Sequence, residues 1–377
     1  IKLPMSGIWK AVRLEAWGPA RIATVWHETK LCGDQRARLH GWITFERTAP
    51  CPVAVHMQLR GPDGTVYDLD RQIDEHLDSV SFLFDLEQPA LWWPNGMGAQ
   101  PLYTLTATAS VDGQVLSACE RRVGVRQLEL VSEPDAIGST FHFRVNGRPL
   151  FAKGANWIPA DALLSRLDAR VYRRLLGAAA TAHMNMLRVW GGGFYEHDVF
   201  YELCDELGLL VWQDVMFACS FCPSHRSFLY NLAAEVRDML ARLQHHACIA
   251  IWCGNNEVEQ AVLWHKLAPD ERREYDFLFE EYLAGVVHVA DPSRTYWPSS
   301  SHAPFSNLSQ RQDSGDTHYW GVWHGRQPFE SYLERSDRFM TEFGFQSFPD
   351  LHTVRRYAAP EDFDLASEVM RFHQRSG

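Results

Sequence analysis

At 377 residues with 46% hydrophobic content, the chain is long enough for two or three domains and apolar enough to give each a core, which excludes an intrinsically disordered class. A formal net charge of −11 argues against nucleic acid or an anionic membrane as a partner, because phosphate binding needs clustered Lys and Arg; a neutral substrate fits better. No apolar run reaches the roughly 18 residues of a membrane span.

In chain order, residues 21–129 read as a β-sandwich. Val53, Val55, Met57 and Leu59 alternate before the turn Gly61-Pro62-Asp63-Gly64, and Val111-Asp112-Gly113-Gln114 carries an Asp-Gly hairpin signal. Leu91-Trp92-Trp93-Pro94-Asn95-Gly96 is an aromatic loop closed by a turn. After Pro134 strand-like and helical runs alternate, the signature of βαβ units and a parallel sheet. Strands are expected at Phe151–Asn156, Met184–Trp190, Leu209–Asp214, Cys248–Cys253, Thr295–Ser299, Thr317–Trp320 and Phe339–Glu342. Helices are expected at Asp198–Leu207, ended by Gly208, at Asn231–His246, and at Pro360–Gln374. Seven strands leave a (β/α)8 barrel open, so the expectation is a TIM-type barrel truncated after strand 7.

Two of these runs end on a glutamate: Ile249 to Glu257 and Arg338 to Glu342. An acidic residue at the C-terminal end of a buried parallel strand sits where such barrels keep their chemistry. The segment between them has room for two further strand–helix units, so Glu257 and Glu342 are candidates for the paired carboxylates of glycoside hydrolysis, about 5–5.5 Å apart in a retaining enzyme. A salt-bridge role for either glutamate is the competing reading.

Metal and redox chemistry find little support. Cys219 and Cys222 form a close pair followed by His225, but no second pair at zinc spacing exists, and His245-His246 lack a matching carboxylate; no metal and no cofactor are expected. Gly191-Gly192-Gly193 lacks the lysine of a phosphate loop and reads as a tight turn. Asn307-Leu308-Ser309 matches a glycosylation sequon, a triplet common by chance. Residue 1 is Ile and no signal peptide pattern follows; with scattered, free cysteines this favours a cytoplasmic setting, the targeting signal being lost or absent. Oligomeric state is not legible.

Trp252 to Glu257 (Trp-Cys-Gly-Asn-Asn-Glu), Thr341 to Ser347 (Thr-Glu-Phe-Gly-Phe-Gln-Ser), Arg188 to Gly193 and Leu91 to Gly96, in this order, resemble β-mannosidases of glycoside hydrolase family 2 along nearly the whole chain. The resemblance implies multiple domains: residues 1–20 as the remnant of a jelly-roll domain, with Ser6 to Glu15 as its last strand, 21–129 as an immunoglobulin-like sandwich and 130–377 as an incomplete catalytic barrel. It implies a retaining exo-β-mannosidase that removes terminal non-reducing β-D-mannose by double displacement, with Glu257 as acid/base and Glu342 as nucleophile. Asn256 would contact the sugar 2-hydroxyl, Arg188 would keep Glu342 ionised, and Tyr319 would donate to it. Trp190 would wall the sugar site, Trp264 would do so or pack as a helix residue, and Asp214 is a further sugar-contact candidate. Other family 2 activities (β-glucosaminidase, β-galactosidase, β-glucuronidase) and a non-catalytic fragment are the alternatives.

Overall fold

The computed structural model describes residues 6–33, 35–264, 268–303, 312–345 and 347–374, without the side chains of 262–264. The sequon at Asn307 and the side chain of Trp264 lie outside these.

The chain divides into two units, residues 1–317 with 337–341, and residues 318–336 with 342–377. The first unit opens with residues 6–18 in no regular structure, so the strand expected over Ser6 to Glu15 does not form. A seven-stranded sandwich follows. Strands β1 (Ala20–Leu31), β2 (Arg36–Arg47) and β5 (Ser79–Glu87) make one sheet. Strands β3 (Val53–Arg60), β4 (Val66–Ile73), β6 (Tyr103–Val111) and β7 (Gln114–Val123) make the other, ordered β4-β3-β6-β7. Alternation puts Val53, Val55, Met57 and Leu59 inward, where they join Leu39, Ile43 and Phe84 of the facing sheet in one core. The β6–β7 turn pairs Val111 with Gln114 and puts Asp112 and Gly113 at φ 51° and 78°, as an Asp-Gly hairpin requires.

Three short antiparallel strands, β8 (Leu128–Val131), β9 (His142–Val145) and β10 (Arg148–Leu150), come next. No strand is expected from the sequence between the sandwich and Phe151, so β9 and β10 are additions of the fold. A five-stranded parallel sheet then runs in sequence order: β11 (Gly154–Trp157), β12 (Met186–Val189), β13 (Leu210–Asp214), β14 (Ile249–Cys253) and β15 (Tyr296–Trp297). Strands β12 to β14 are buried throughout, which explains their unbroken apolar runs. Helices α1 (Ala169–Thr181), α2 (Asp198–Leu207) and α3 (Arg226–Leu243) pack on one face; β9 and Trp92 join a second core with Trp212 and Ile251. Gly208 ends α2 at φ 71°, and a Cβ there would stand 2.5 Å from the Asn95 amide nitrogen. The Trp-Trp-Pro-Asn loop is thus a tie: Asn95 Nδ2 donates to the Ala180 and Met184 carbonyls and the buried Trp92 indole to Asp205 O.

Helix α3 is shifted from its expected span, because the His225 ring nitrogen accepts from the Phe228 amide and starts the helix at Arg226. The last two expected strands, β16 (Thr317–Tyr319) and β17 (Met340–Phe343), form a separate two-stranded sheet and not part of the five-stranded one.

The second unit is small and aromatic. Phe329, Tyr332, Phe343 and Phe345 meet edge to face, and Tyr357 stacks on His373 at 4.0 Å. The single helix expected over Pro360–Gln374 is broken into a 3-10 turn, Pro360–Asp362, and a short helix, Glu368–His373. Asp364 and Ser367 cause the break, since their side chains accept from the Ala366 and Met370 amides in place of helical carbonyls.

Candidate active site

The C-terminal ends of the parallel strands carry polar residues in register. Asn156 of β11 lies opposite Arg188 of β12; Asp214 ends β13; Asn255, Asn256 and Glu257 follow β14, and Ser299 and Ser300 follow β15. Arg188 is their centre, 4% exposed. Its guanidinium donates to Asp214 through Nε (3.2 Å) and Nη2 (2.8 Å), to Asn256 Oδ1 (2.7 Å) and to Asn156 Oδ1 (3.2 Å). This fork on a buried carboxylate fixes the arginine in a way a lysine could not match.

Asp214 is fully buried, and its oxygens also accept from the Gly191 amide (3.0 Å) and the Trp212 indole (3.1 Å). Burial pushes its pKa up against the lowering pull of Arg188. With its oxygens engaged, it holds Arg188 and the glycine turn. In that turn Trp190, half-buried, lies over Gly192, where a Cβ would fall 2.0 Å from the indole.

The segment after β14 is built by the loops around it. Asn256 N donates to Phe217 O, Cys219 N to Asn256 O, and Glu257 N to Ser300 O, at 2.8–2.9 Å. Glu257 is left at φ 57°, a left-handed backbone that a non-glycine residue adopts only where surroundings enforce it. The helix-capping amide is Asn255, whose Oδ1 accepts from the Val258 amide at 2.9 Å. Asn256 is thereby free for the site, where it accepts from Arg188 and donates to Cys219 Sγ at 3.5 Å. The same thiol lies 3.5 Å from Glu257 Oε2.

Behind Ser300 stands a fully buried carboxylate. Asp316 Oδ1 accepts from the Trp297 indole (2.8 Å) and the His302 amide (2.9 Å); Oδ2 accepts from the Ser300 and Thr341 hydroxyls, both at 2.6 Å. Thr341 O in turn accepts from Asn156 Nδ2 at 3.0 Å.

In the second unit Glu342 is 7% exposed, with Oε2 3.5 Å from Nδ1 of the buried His318. The Tyr319 hydroxyl, expected to donate to Glu342, donates to Gln327, and its ring is covered by the Arg335 guanidinium at 4.5 Å.

The sequence offers no site role for Asn156, Ser300, Asp316, Thr341 or His318, and it marks Cys219 only as half of a cysteine pair. Asn156 had the signal that marked Asp214, the end of a strand, whereas the others become neighbours only through the fold.

Residues 20–126 match the profile of glycosyl hydrolases family 2. This chain carries a family 2 domain. Over 99% of its length it is similar to β-mannosidase B of Aspergillus terreus (strain NIH 2624 / FGSC A1156), at 36% identity, and of Emericella nidulans, at 34%. The crystal structure of a β-D-mannosidase from Dictyoglomus thermophilum superposes on 98% of this chain with a TM-score of 0.89 and 38% identity, a match that takes in 45% of that protein's chain. A putative β-galactosidase from Bacteroides fragilis shares the fold alone, with a TM-score of 0.63 at 18% identity. The chain spans about half the length of the curated relatives it matches, 45% and 46% for the two named. The family 2 match covers the sandwich, while the β-mannosidase likeness extends through the parallel sheet and the Arg188 network.

Proposed function

We propose that this protein is a retaining exo-β-mannosidase acting on terminal non-reducing β-D-mannose, with an immunoglobulin-like sandwich followed by a TIM-type catalytic barrel. The observation that carries the reading is the network joining Arg188, Asp214 and Asn256 beside Glu257, in a chain similar throughout to β-mannosidases. In this reading Glu342 attacks the anomeric carbon and displaces the leaving oxygen, which takes a proton from Glu257. The Glu257 carboxylate then removes a proton from water, which attacks the same carbon from the face the leaving group occupied, releases Glu342 and restores the β configuration. Asn256, held by Arg188, offers its amide to the 2-hydroxyl, Trp190 walls the sugar, and Arg188 is the charge assigned to keeping the nucleophile ionised. No metal or cofactor enters these steps.

Labelling with a 2-fluoro-mannoside inactivator tests the assignment: peptide mass spectrometry should place the adduct on Glu342, and Glu342→Gln should form none. Glu257→Ala should lose turnover of poor leaving groups far more than of activated aryl mannosides, with azide restoring a β-mannosyl product. An adduct on another carboxylate, or an α-azide, refutes the roles. A panel of chromogenic glycosides separates mannosidase from the other family 2 activities.

A further inference from the structure

Two non-glycine residues with left-handed backbones meet where the loop after β13 runs beside the segment after β14: Cys219 at φ 54° and Glu257 at φ 57°. The two stretches are tied through the main chain, Asn256 N donating to Phe217 O at 2.8 Å and Cys219 N to Asn256 O at 2.9 Å, with Ala218 bridged to Asn256 in parallel. Backbone of this kind persists only where its surroundings over-determine it, and it gathers at functional sites.

The polarity of the contacts follows from Arg188. A guanidinium only donates, so the Asn256 side-chain oxygen must turn to it, at 2.7 Å, and the NH2 group must turn the other way. Nδ2 meets Cys219 Sγ at 3.5 Å; the sulfur accepts there and donates its own proton to Glu257 Oε2, also at 3.5 Å. The bonds thus run in one direction, from guanidinium through amide and thiol to the carboxyl group. We propose that Cys219 is a positioning residue for the acid/base, its thiol holding Glu257 Oε2 so that Oε1 carries the proton to the leaving group. This rests on the acid/base role proposed for Glu257. A carboxylic acid has one carbonyl and one hydroxyl oxygen, and an S–H donor on Oε2 marks that oxygen as the carbonyl one. The thiol suits the task because it is a weak donor: hydrogen bonds to a carboxylate stabilise the anion, and a strong donor would draw the proton off the acid. It still donates once the proton has gone, so the same contact keeps the carboxylate aimed when it serves as base. Cys222 has no share in this, since its Sγ turns to Ser220 O at 3.6 Å.

Leaving-group dependence and thiol reactivity in the protein test the role. Cys219→Ala should lower kcat/KM about tenfold for methyl β-D-mannoside, whose departing oxygen needs a proton, and less than about threefold for the dinitrophenyl glycoside, which departs without one. Cys219→Ser keeps an acceptor and a donor and should restore part of the loss, while Cys222→Ser should change neither substrate. A purely structural cysteine would lower both alike. Independently of turnover, Glu257→Gln removes the negative charge beside the sulfur, so iodoacetamide should alkylate Cys219 about threefold faster than in the wild type, with Cys32 as internal reference in peptide mass spectrometry. If Glu257→Ala fails to show the leaving-group split, the acid/base reading falls and the proposal with it. If Glu257→Ala shows the split and Cys219→Ala lowers both substrates equally, or neither, the positioning role alone is overturned. An unchanged alkylation rate in Glu257→Gln also overturns it.

Discussion

Replacing Asp316 by alanine removes the acceptor of four donors at once, and the structure allows the cost to be divided. The Ser300 and Thr341 hydroxyls can turn to other acceptors, since Thr341 Oγ1 already lies 3.2 Å from Thr317 O and 3.3 Å from Ser300 Oγ. The Trp297 indole N–H and the His302 amide have no such choice. Two donors left unsatisfied, one an indole that is itself buried, cost about 1–3 kcal/mol each, so Asp316→Ala should destabilise the fold by about 4 kcal/mol. Asp316→Asn keeps an oxygen for both N–H groups and presents its NH2 to two hydroxyls that can accept, so it should cost only about 1 kcal/mol. Urea unfolding followed by tryptophan fluorescence reads both, because Trp297 is in the network. Equal losses in the two variants, or less than about 1 kcal/mol for alanine, would refute the division made here.

Two further outcomes follow from burial. The folded His27 pKa of about 3 lies below its unfolded value of 6.5, so its contribution to stability is complete above pH 6.5 and is lost as pH falls toward 3, by up to about 1.4 kcal/mol per pH unit. His27→Gln should flatten that slope by about one proton in unfolding measured from pH 7 to 4; an unchanged slope means that the imidazole is not held neutral. All eight cysteines are free, with Cys204, Cys248 and Cys253 fully buried and their thiol pKa values pushed well above the usual range by burial. A thiol reagent should therefore modify the exposed Cys32 and Cys219 first in the native protein and all eight after denaturation; early modification of Cys253 contradicts the packing of β14.

The strands that were legible from sequence owe it to burial on both faces. Leu210 to Asp214 and Ile249 to Cys253 have no polar alternation to confuse them with surface strands, and Asp214 at the end of the first and Asn255 to Glu257 just past the second mark the chemical edge. Strands β8 to β10 escaped because they are four residues or fewer, mix charged with apolar positions, and depend on Phe141, Phe143 and Val145 reaching Trp212 and Phe339 across long sequence distances. The site divides the same way. Arg188, Asn256 and Glu257 lie in strings that the eye can find, while Asp316 gains its meaning only when residues 297, 300, 302 and 341 converge on it. Tyr319 shows a different limit: it closes strand β16 itself, and its hydroxyl donates to Gln327, a partner that no local pattern reveals.

One carboxylate at the seam bears on how such proteins can be recombined. Asp291, fully buried, accepts from the indole of Trp26 in the sandwich at 3.1 Å and from that of Trp252 in the middle of the parallel sheet at 2.8 Å. The sandwich and the sheet look like exchangeable modules joined by a short connection at 124–127. Yet Trp26 and Asp291 stand 265 positions apart in the sequence and are paired like two halves of a key. A sandwich transplanted from another protein would need an indole at that place on its first strand, or the graft would leave a buried acceptor short of a donor at the joint. Shuffling at the visible boundary is therefore governed by spelling far from it.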